Sequence, residues 1–377
     1  MLRIGIDTRD LNIARTGART YLEEILAAFP RVAPEHEFVH LQPARYRSLD
    51  AGIFRKICGH VSYTWWKQVA LPVQAHHFNC DLVFCTDYTV PLFPWGAKVV
   101  PVFHDATFWA NPTHYNRLWR ILLRILTLPA ARKAPAVVTV SEFSCAEIAR
   151  YTSIPSAKIY VVANAPKSLA CEKLSSARIH QVLKDHGIDP GTPFALYIGV
   201  LEKRKNLTRL VKAFSQFLTK AQTPYHLVLV GQPGPKQNLD DSSLIRETIE
   251  HLGLGDKVLL VGYVADKDLS AFYQGAEFLV FPSLYEGFGI PILEAFTNGL
   301  PVAAANATAI PEVVGNAALL FDPLNVGAIS QAMLRLERDA DFRRKLVHRG
   351  YQRVARYSWD KTARKLVDLF EHICDGL

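Results

Sequence analysis

Few of the short motifs that mark metal and dinucleotide enzymes occur in this sequence, and none in its working context. One H-E-x-x-H occurs among its 13 histidines, His36 to His40, but it falls inside the strand-like "HEFVHL" and not on a helix, which disfavours the helical zinc-hydrolase class. Its six cysteines, Cys58, Cys80, Cys85, Cys145, Cys171 and Cys374, form no C-x-x-C pair and have no metal-ligand spacing to a histidine. Scattered in this way they read as reduced core residues of a cytosolic protein. No G-x-G-x-x-G follows the first strand-like segment, which disfavours an NAD dehydrogenase. No D-x-D pair closes a strand, since Asp266 and Asp268 in "ADKDL" read as a helix start. No apolar run reaches the ~18 residues of a membrane span. The opening "MLRIGIDTRD" is strand-like, with no h-region or cleavage site, and predicts no secretory signal. Internal repeats and low-complexity tracts are also missing.

What is present describes a folded protein of about two domains, at roughly 100–200 residues each. The 377 residues are 49% hydrophobic and 21% charged. The net charge of +8 is unevenly placed: Met1 to Gly187 holds 22 Lys+Arg against 14 Asp+Glu, and the remainder balances at 21 each. That asymmetry implies either an anionic partner for the first half or a generic basic surface. No nucleic-acid recognition module accompanies it.

Strand-like runs alternate with amphipathic helices throughout. The first half reads "LRIGID", "HEFVHL", "CDLVFC", "AKVVPVFHD", "AVVTVS" and "KIYVVAN"; the second reads "FALYIGV", "YHLVLVG", "KVLLVGYV", "AEFLVFP", "PVAAAN" and "AALLFD". Continuous apolar strands separated by helices predict parallel sheets covered on both faces. Ser141 and Ser144 are placed to cap "EFSCAEIARYT". A Ser/Pro/Gly-richer stretch near 165–193 predicts the linker. The expected domains are 1–180 and 190–357, with a last amphipathic helix, 358–377, packing back on the first.

Ligands of open parallel sheets bind beyond the carboxyl ends of the strands, and three such ends carry chemistry. "SLYEGFGIPILEA" follows "AEFLVFP". Its Gly287 and Gly289 allow close backbone approach, and Pro291 suits a first helical turn. Free amides at that helix start can bind phosphate. Glu286 and Glu294 flank them, placed to accept hydrogen bonds from hydroxyls on either side. That pattern fits a nucleotide sugar; the alternative is two acids that merely complement the helix dipole. "GVLEKRKNL" sets Lys203, Arg204 and Lys205 before a helix that Asn206 can cap. Cations there oppose the dipole unless an anion binds; the alternative is a solvated charge run. "VFHDATFW" places His104 and Asp105 after a third strand. Gly17, in "ARTGARTYLEEIL", is a weaker candidate for backbone approach to phosphate.

On these residues the chain resembles a retaining glycosyltransferase of family 4, with the GT-B architecture of two doubly wound Rossmann-like domains facing a central cleft. "SLYEGFGIPILEAFTNGLPVAAANATAIPEVVGNAALLFDPLN" carries the strongest likeness, and "IGVLEKRKNL", "TWWKQVALPVQ", "VFHDATF" and "VSEFSCAEIARY" extend it over almost the whole chain. The resemblance implies that Arg204 and Lys205 neutralise a donor diphosphate and that Glu294 binds the ribose. It implies that Glu286 contacts the transferred sugar and that the amides of Gly287, Phe288 and Gly289 lie against phosphate or sugar. His104 then sits near the reacting centre, Gly17 helps close the phosphate site, and Tyr263 and Val264 lie beside the base. Arg19, where many members have a second glycine, and "VVANAP", in place of Asn-Gly-Val, depart from the family pattern. The implied activity is transfer of a hexose, with GDP-mannose the leading donor, to a glycan or lipid-linked acceptor in cell-surface polysaccharide synthesis. No metal or other cofactor is implied, and no nucleic acid. A non-catalytic partner-binding relative and a GT-B sugar-nucleotide epimerase are the rival readings. The segment with Arg117, Arg120 and Arg124 among Trp119 and several leucines reads either as a basic face for anionic membrane, with the protein on the inner face of the cytoplasmic membrane, or as an ordinary packed helix.

Overall fold

The computed structural model describes residues 1–13, 17–43, 61–110, 121, 123–234 and 237–376. Arg117, Trp119 and Arg120 lie outside the described residues. Two compact units emerge: Met1–Asn164 with Trp359–Leu377, and Ala165–Ser358.

In the first unit, β1 (Arg3–Asp7), β2 (Glu37–Leu41), β3 (Leu82–Cys85) and β4 (Lys98–Pro101) form a parallel sheet in the order β2-β1-β3-β4. A further parallel pair, β5 (Val137–Thr139) and β6 (Ile159–Val161), is joined to β4 through a Val102–Val138 bridge. β3 is buried along its whole length, as its unbroken "LVFC" requires of a strand covered on both faces. The helix Trp359–Cys374 returns to this unit and packs on the helix Gly17–Val32. Phe370 lies 6.2 Å from Phe29, ring to ring, and Arg31 pairs with Asp360 at 2.6 Å.

The second unit holds a six-stranded parallel sheet of β7 (Phe194–Ile198), β8 (His226–Val230), β9 (Val258–Gly262), β10 (Phe278–Phe281), β11 (Val302–Ala305) and β12 (Leu319–Phe321). Its order is β12-β11-β10-β7-β8-β9. The chain runs outward from β7 through β8 to β9, then crosses back to β10 on the other side of β7. The topological switch point therefore lies between β7 and β10, where a doubly wound sheet opens its ligand crevice.

The unit boundary differs from the one expected near residue 180. The strap Ala165–Cys171 already belongs to the second unit, because Asn298 Nδ2 donates to Ala170 O at 2.7 Å and Ser270 Oγ donates to Leu169 O at 3.1 Å. Composition marked the stretch as irregular, but these side-chain bonds decide which core holds it. Among the described residues no helix is long and apolar enough to cross a membrane.

Candidate active site

The loop after β7 tightens into a 3-10 turn at Lys203–Lys205. Asn206 then adopts a left-handed conformation (φ 63°) ahead of the helix Leu207–Leu218. The expected side-chain cap does not form there. Asn206 Nδ2 instead donates to Pro282 O at 3.1 Å and to Pro323 O at 2.7 Å. It thereby ties the β7 loop to those following β10 and β12, and two otherwise unpaired carbonyls gain a donor.

This tie brings the three residues Arg204, Lys205 and Glu286 together at the switch point. Lys205 Nζ meets Glu286 Oε1 at 2.5 Å, and Arg204 Nη1 meets Glu286 Oε2 at 3.0 Å. The Arg204 fork also reaches Glu202 through Nε at 3.0 Å and Tyr285 O through Nη1 at 3.0 Å. Thr308 Oγ1 accepts from the Glu286 amide. The sequence reading offered the cations to a bound anion; the protein itself supplies two carboxylates, Glu202 and Glu286. Arg204 and Lys205 match those two acids in charge, and Lys203 beside them is exposed.

Burial alone would raise the Glu286 pKa, but Lys205 and Arg204 outweigh it and hold the carboxyl at about 2. Lys205 is pushed below the usual lysine range by burial, then by Arg204, with Glu286 opposing. Charge developing nearby is thus met by oriented groups in a partly dry site.

The loop after β10 reaches its helix, Ile290–Thr297, through Gly289 at φ 113°, a conformation other residues rarely adopt. Pro291 occupies the first turn, as expected. Gly289 offers no side-chain cap, but Pro291 has no N–H and the Ile292 amide donates to Gly289 O at 3.0 Å, so in this first turn the Ile290 amide is the one left for a ligand. Phe288 is buried edge-on against Tyr357, with 5.8 Å between ring centroids. Gly287 stands between it and Glu286. Glu294 lies one turn into the helix, 5% exposed, accepting from Tyr273 Oη at 2.5 Å and from Lys167 N at 3.4 Å. Burial lifts its carboxyl to about 7 against those hydrogen bonds. Tyr263 and Val264 follow β9; the tyrosine ring is 62% exposed and the valine buried.

His104 and Gly17 belong to the first unit. His104 follows β4, and its Nε2 lies 3.2 Å from Thr86 O. A carbonyl only accepts, so Nε2 carries the proton and Nδ1 keeps its lone pair. Burial lowers the His104 pKa, which favours this neutral ring. Tyr21 packs edge-on against it at 5.1 Å. Gly17 opens the helix Gly17–Val32.

The sequence reading missed a buried network at the carboxyl ends of β1 and β3. Lys67 Nζ contacts Asp7 Oδ2 and Asp87 Oδ1, each at 2.5 Å. Trp66 Nε1 donates to Asp7 at 3.1 Å and Tyr63 Oη donates to Asp87 at 2.8 Å. The signal was one lysine inside the apolar "TWWKQVALP", which buries its charge only with partners. Glu202, Tyr273 and Lys167 were likewise missed, since nothing local marks a tyrosine or a strap amide as a carboxylate's partner.

A cavity of about 520 Å³ lies elsewhere in the second unit, at the amino ends of β10 and β11. Its Gln274, Asn298 and Arg343 side chains donate to protein carbonyls. It sits opposite the switch point, at the wrong end of the strands for an open sheet's ligand.

Two family models match: Glycosyltransferase Family 4 over residues 15–165, and Glycosyl transferases group 1 over residues 179–353. The O-antigen chain mannosyltransferase B of Escherichia coli is 32% identical, over 73% of this chain and 70% of the relative. The serotype-specific mannosyltransferase WbdA of Escherichia coli is also 32% identical, over 76% of this chain but only 35% of its own length. Anabaena Alr3699/HepE, solved in complex with UDP-glucose, superposes with a TM-score of 0.74 at 17% identity, covering 98% of this chain and 100% of that one. With a switch-point cation pair in the second unit, matches to both halves and an extensive 32% identical relative, the chain belongs to glycosyltransferase family 4 and is a hexosyltransferase of GT-B fold.

Proposed function

We propose that the protein transfers mannose, with retention of anomeric configuration, from GDP-mannose to a glycan or lipid-linked acceptor of a cell-surface polysaccharide. The observation that carries this reading is the Arg204–Lys205–Glu286 cluster at the β7/β10 switch point. The mannosyltransferase named among the relatives supports the choice of sugar.

In this reading the bond between the sugar's anomeric carbon and the diphosphate oxygen breaks with its electron pair leaving on the diphosphate. Arg204, Lys205 and the Ile290 amide at the helix start stabilise that charge. The acceptor oxygen forms the new bond on the same face, and its proton passes to the departing phosphate. Glu286, held ionised by the two cations, accepts hydrogen bonds from sugar hydroxyls, and Glu294 accepts them from the ribose. His104, with Nδ1 unprotonated, is able to accept a hydrogen bond from a sugar hydroxyl, and Gly17 is able to admit a phosphate close to the backbone.

No divalent ion takes part in this scheme. Glu35, His36 and Glu371 lie close enough to hold an ion. However, His36 Nδ1 accepts from Leu2 N at 3.1 Å, so Nε2 carries the proton toward Glu371, 2.9 Å away, and has no lone pair to give. Incubation with a panel of GDP- and UDP-sugars is expected to show slow hydrolysis of GDP-mannose that persists in excess EDTA. Hydrolysis of a UDP-sugar alone overturns the donor assignment, and magnesium-reversible inhibition overturns the metal-free scheme.

A lipid-linked acceptor places the protein on the inner face of the cytoplasmic membrane. Ile121, Arg124 and Ile125 are exposed, the isoleucines by 53% and 62%. The protein is expected to sediment with anionic liposomes at low salt. It should be released by added salt, which shortens the Debye length to about 8 Å at physiological strength. Replacement of Arg117, Arg120 and Arg124 by glutamine should weaken sedimentation without changing donor hydrolysis. Unchanged sedimentation removes this segment from the contact.

A further inference from the structure

The two oxygens of Glu294 receive unequal support. Tyr273 Oη donates to Oε2 at 2.5 Å, whereas the Lys167 amide reaches Oε1 only at 3.4 Å. The titratable groups around this carboxylate come from two elements. The helix Asp266–Gly275 contributes Tyr273 and Asp266, and the strap contributes Lys167 and Cys171. The Lys167 ammonium pairs with Asp266 at 2.5 Å, leaving the tyrosine as the close donor to Glu294. Tyr273 is only 1% exposed, so water cannot easily replace its hydroxyl.

We infer that Tyr273 is a positioning residue for nucleotide recognition: its hydroxyl fixes the Glu294 side chain and favours the carboxylate over the acid, leaving further lone pairs for the hydroxyls of a ribose. This rests on the reading of Glu294 as the ribose contact. A carboxylate offers about four acceptor sites, of which Tyr273 and Lys167 use two. A protonated Glu294 loses acceptor capacity, so the affinity it contributes is present above its pKa and lost below it. That pKa stands at about 7 because burial outweighs the bond from Tyr273. Removing the hydroxyl leaves burial less opposed and moves the titration to higher pH.

The test measures GDP affinity across the neutral pH range by calorimetry, using the full chain and its Tyr273→Phe, Glu294→Gln and Lys167→Ala variants. Glu294→Gln is expected to weaken GDP and to lack the Glu294 step, which separates that step from the titration of the diphosphate itself. Tyr273→Phe is expected to shift the step upward by about one unit, a loss of about fivefold at pH 7 that is recovered at higher pH. Lys167→Ala leaves Asp266 unneutralised and should shift the step in the same direction by less, giving a second measurement if the phenylalanine variant folds poorly. A carboxyl carbon NMR titration reads the Glu294 shift directly. If Glu294→Gln weakens GDP while Tyr273→Phe changes affinity equally at every pH, or not at all, Tyr273 has only a structural role and the inference fails. If Glu294→Gln binds GDP like the parent, the ribose reading itself fails and takes this inference with it.

Discussion

Arg204→Ala and Lys205→Ala are each expected to reduce turnover at saturating donor by about 10²–10³-fold, the range seen when one preorganised group facing a transition-state charge is removed. In the proposed transfer, charge accumulates on the diphosphate as the sugar departs, and Arg204 and Lys205 are oriented by Glu286 beforehand. Their orientation comes from Glu286, which holds Lys205 at 2.5 Å and Arg204 at 3.0 Å. Arg204→Lys should recover little, because an ammonium cannot reproduce the fork that spans Glu202, Glu286 and Tyr285 O. Glu202→Ala is the informative control, since it loosens Arg204 on one side but removes no positive charge. Its loss should be markedly smaller. Steady-state kinetics with the hydrolysed or transferred donor decide the matter. Equal losses from all three substitutions would point to a disturbed loop rather than to charge stabilisation, and a change confined to KM would mean that the cations bind the donor without favouring its transition state.

Lys67→Met should destabilise the first unit by about 3–5 kcal/mol, the usual cost of leaving a buried charge without its partner. Lys67 and Asp7 are each 1% exposed, and Lys67 also binds Asp87. Burial alone would push the Lys67 pKa down, but Asp7 and Asp87 hold it well above the usual lysine range. The ammonium is therefore kept charged by the acids it joins. Removing it leaves Asp7 facing Trp66 Nε1 and the Arg9 amide, two donors that do not neutralise a carboxylate. Adding Asp7→Asn to Lys67→Met should restore part of the loss, since it removes the stranded charge. Thermal unfolding of the single and double variants measures both effects. A single variant as stable as the parent would show that water reaches this site and that the network carries little of the unit's stability.

Much of the architecture is written locally. The apolar strands "LVFC", "FALYI", "HLVLV" and "FLVF" appear as β3, β7, β8 and β10, because an unbroken apolar run can only be buried on both faces. Ser141 caps the helix Glu142–Thr152 by accepting from Ser144 N, and Gly289 and Pro291 start the helix Ile290–Thr297, since each of these choices is decided within a few residues. The same local logic put Arg204, Lys205 and Glu286 at the carboxyl ends of strands, where they meet at the switch point. Their pairing was not legible. Residues 204 and 286 meet only because β10 returns beside β7, and the order of strands depends on the packing of the whole sheet rather than on any one of them. Asn206 shows the limit clearly: sequence makes it a helix cap, yet the fold brings the Pro282 and Pro323 carbonyls within reach and its amide goes to them. Glu294 was recognisable as a helical acid, whereas its pKa near 7 depends on the burial and on the Tyr273 hydroxyl that only tertiary structure provides. The elements, their alternation and the charges at their ends follow from the order of residues; which charges face each other follows from the folded packing, because ion pairing and desolvation depend on distance in space and not along the chain.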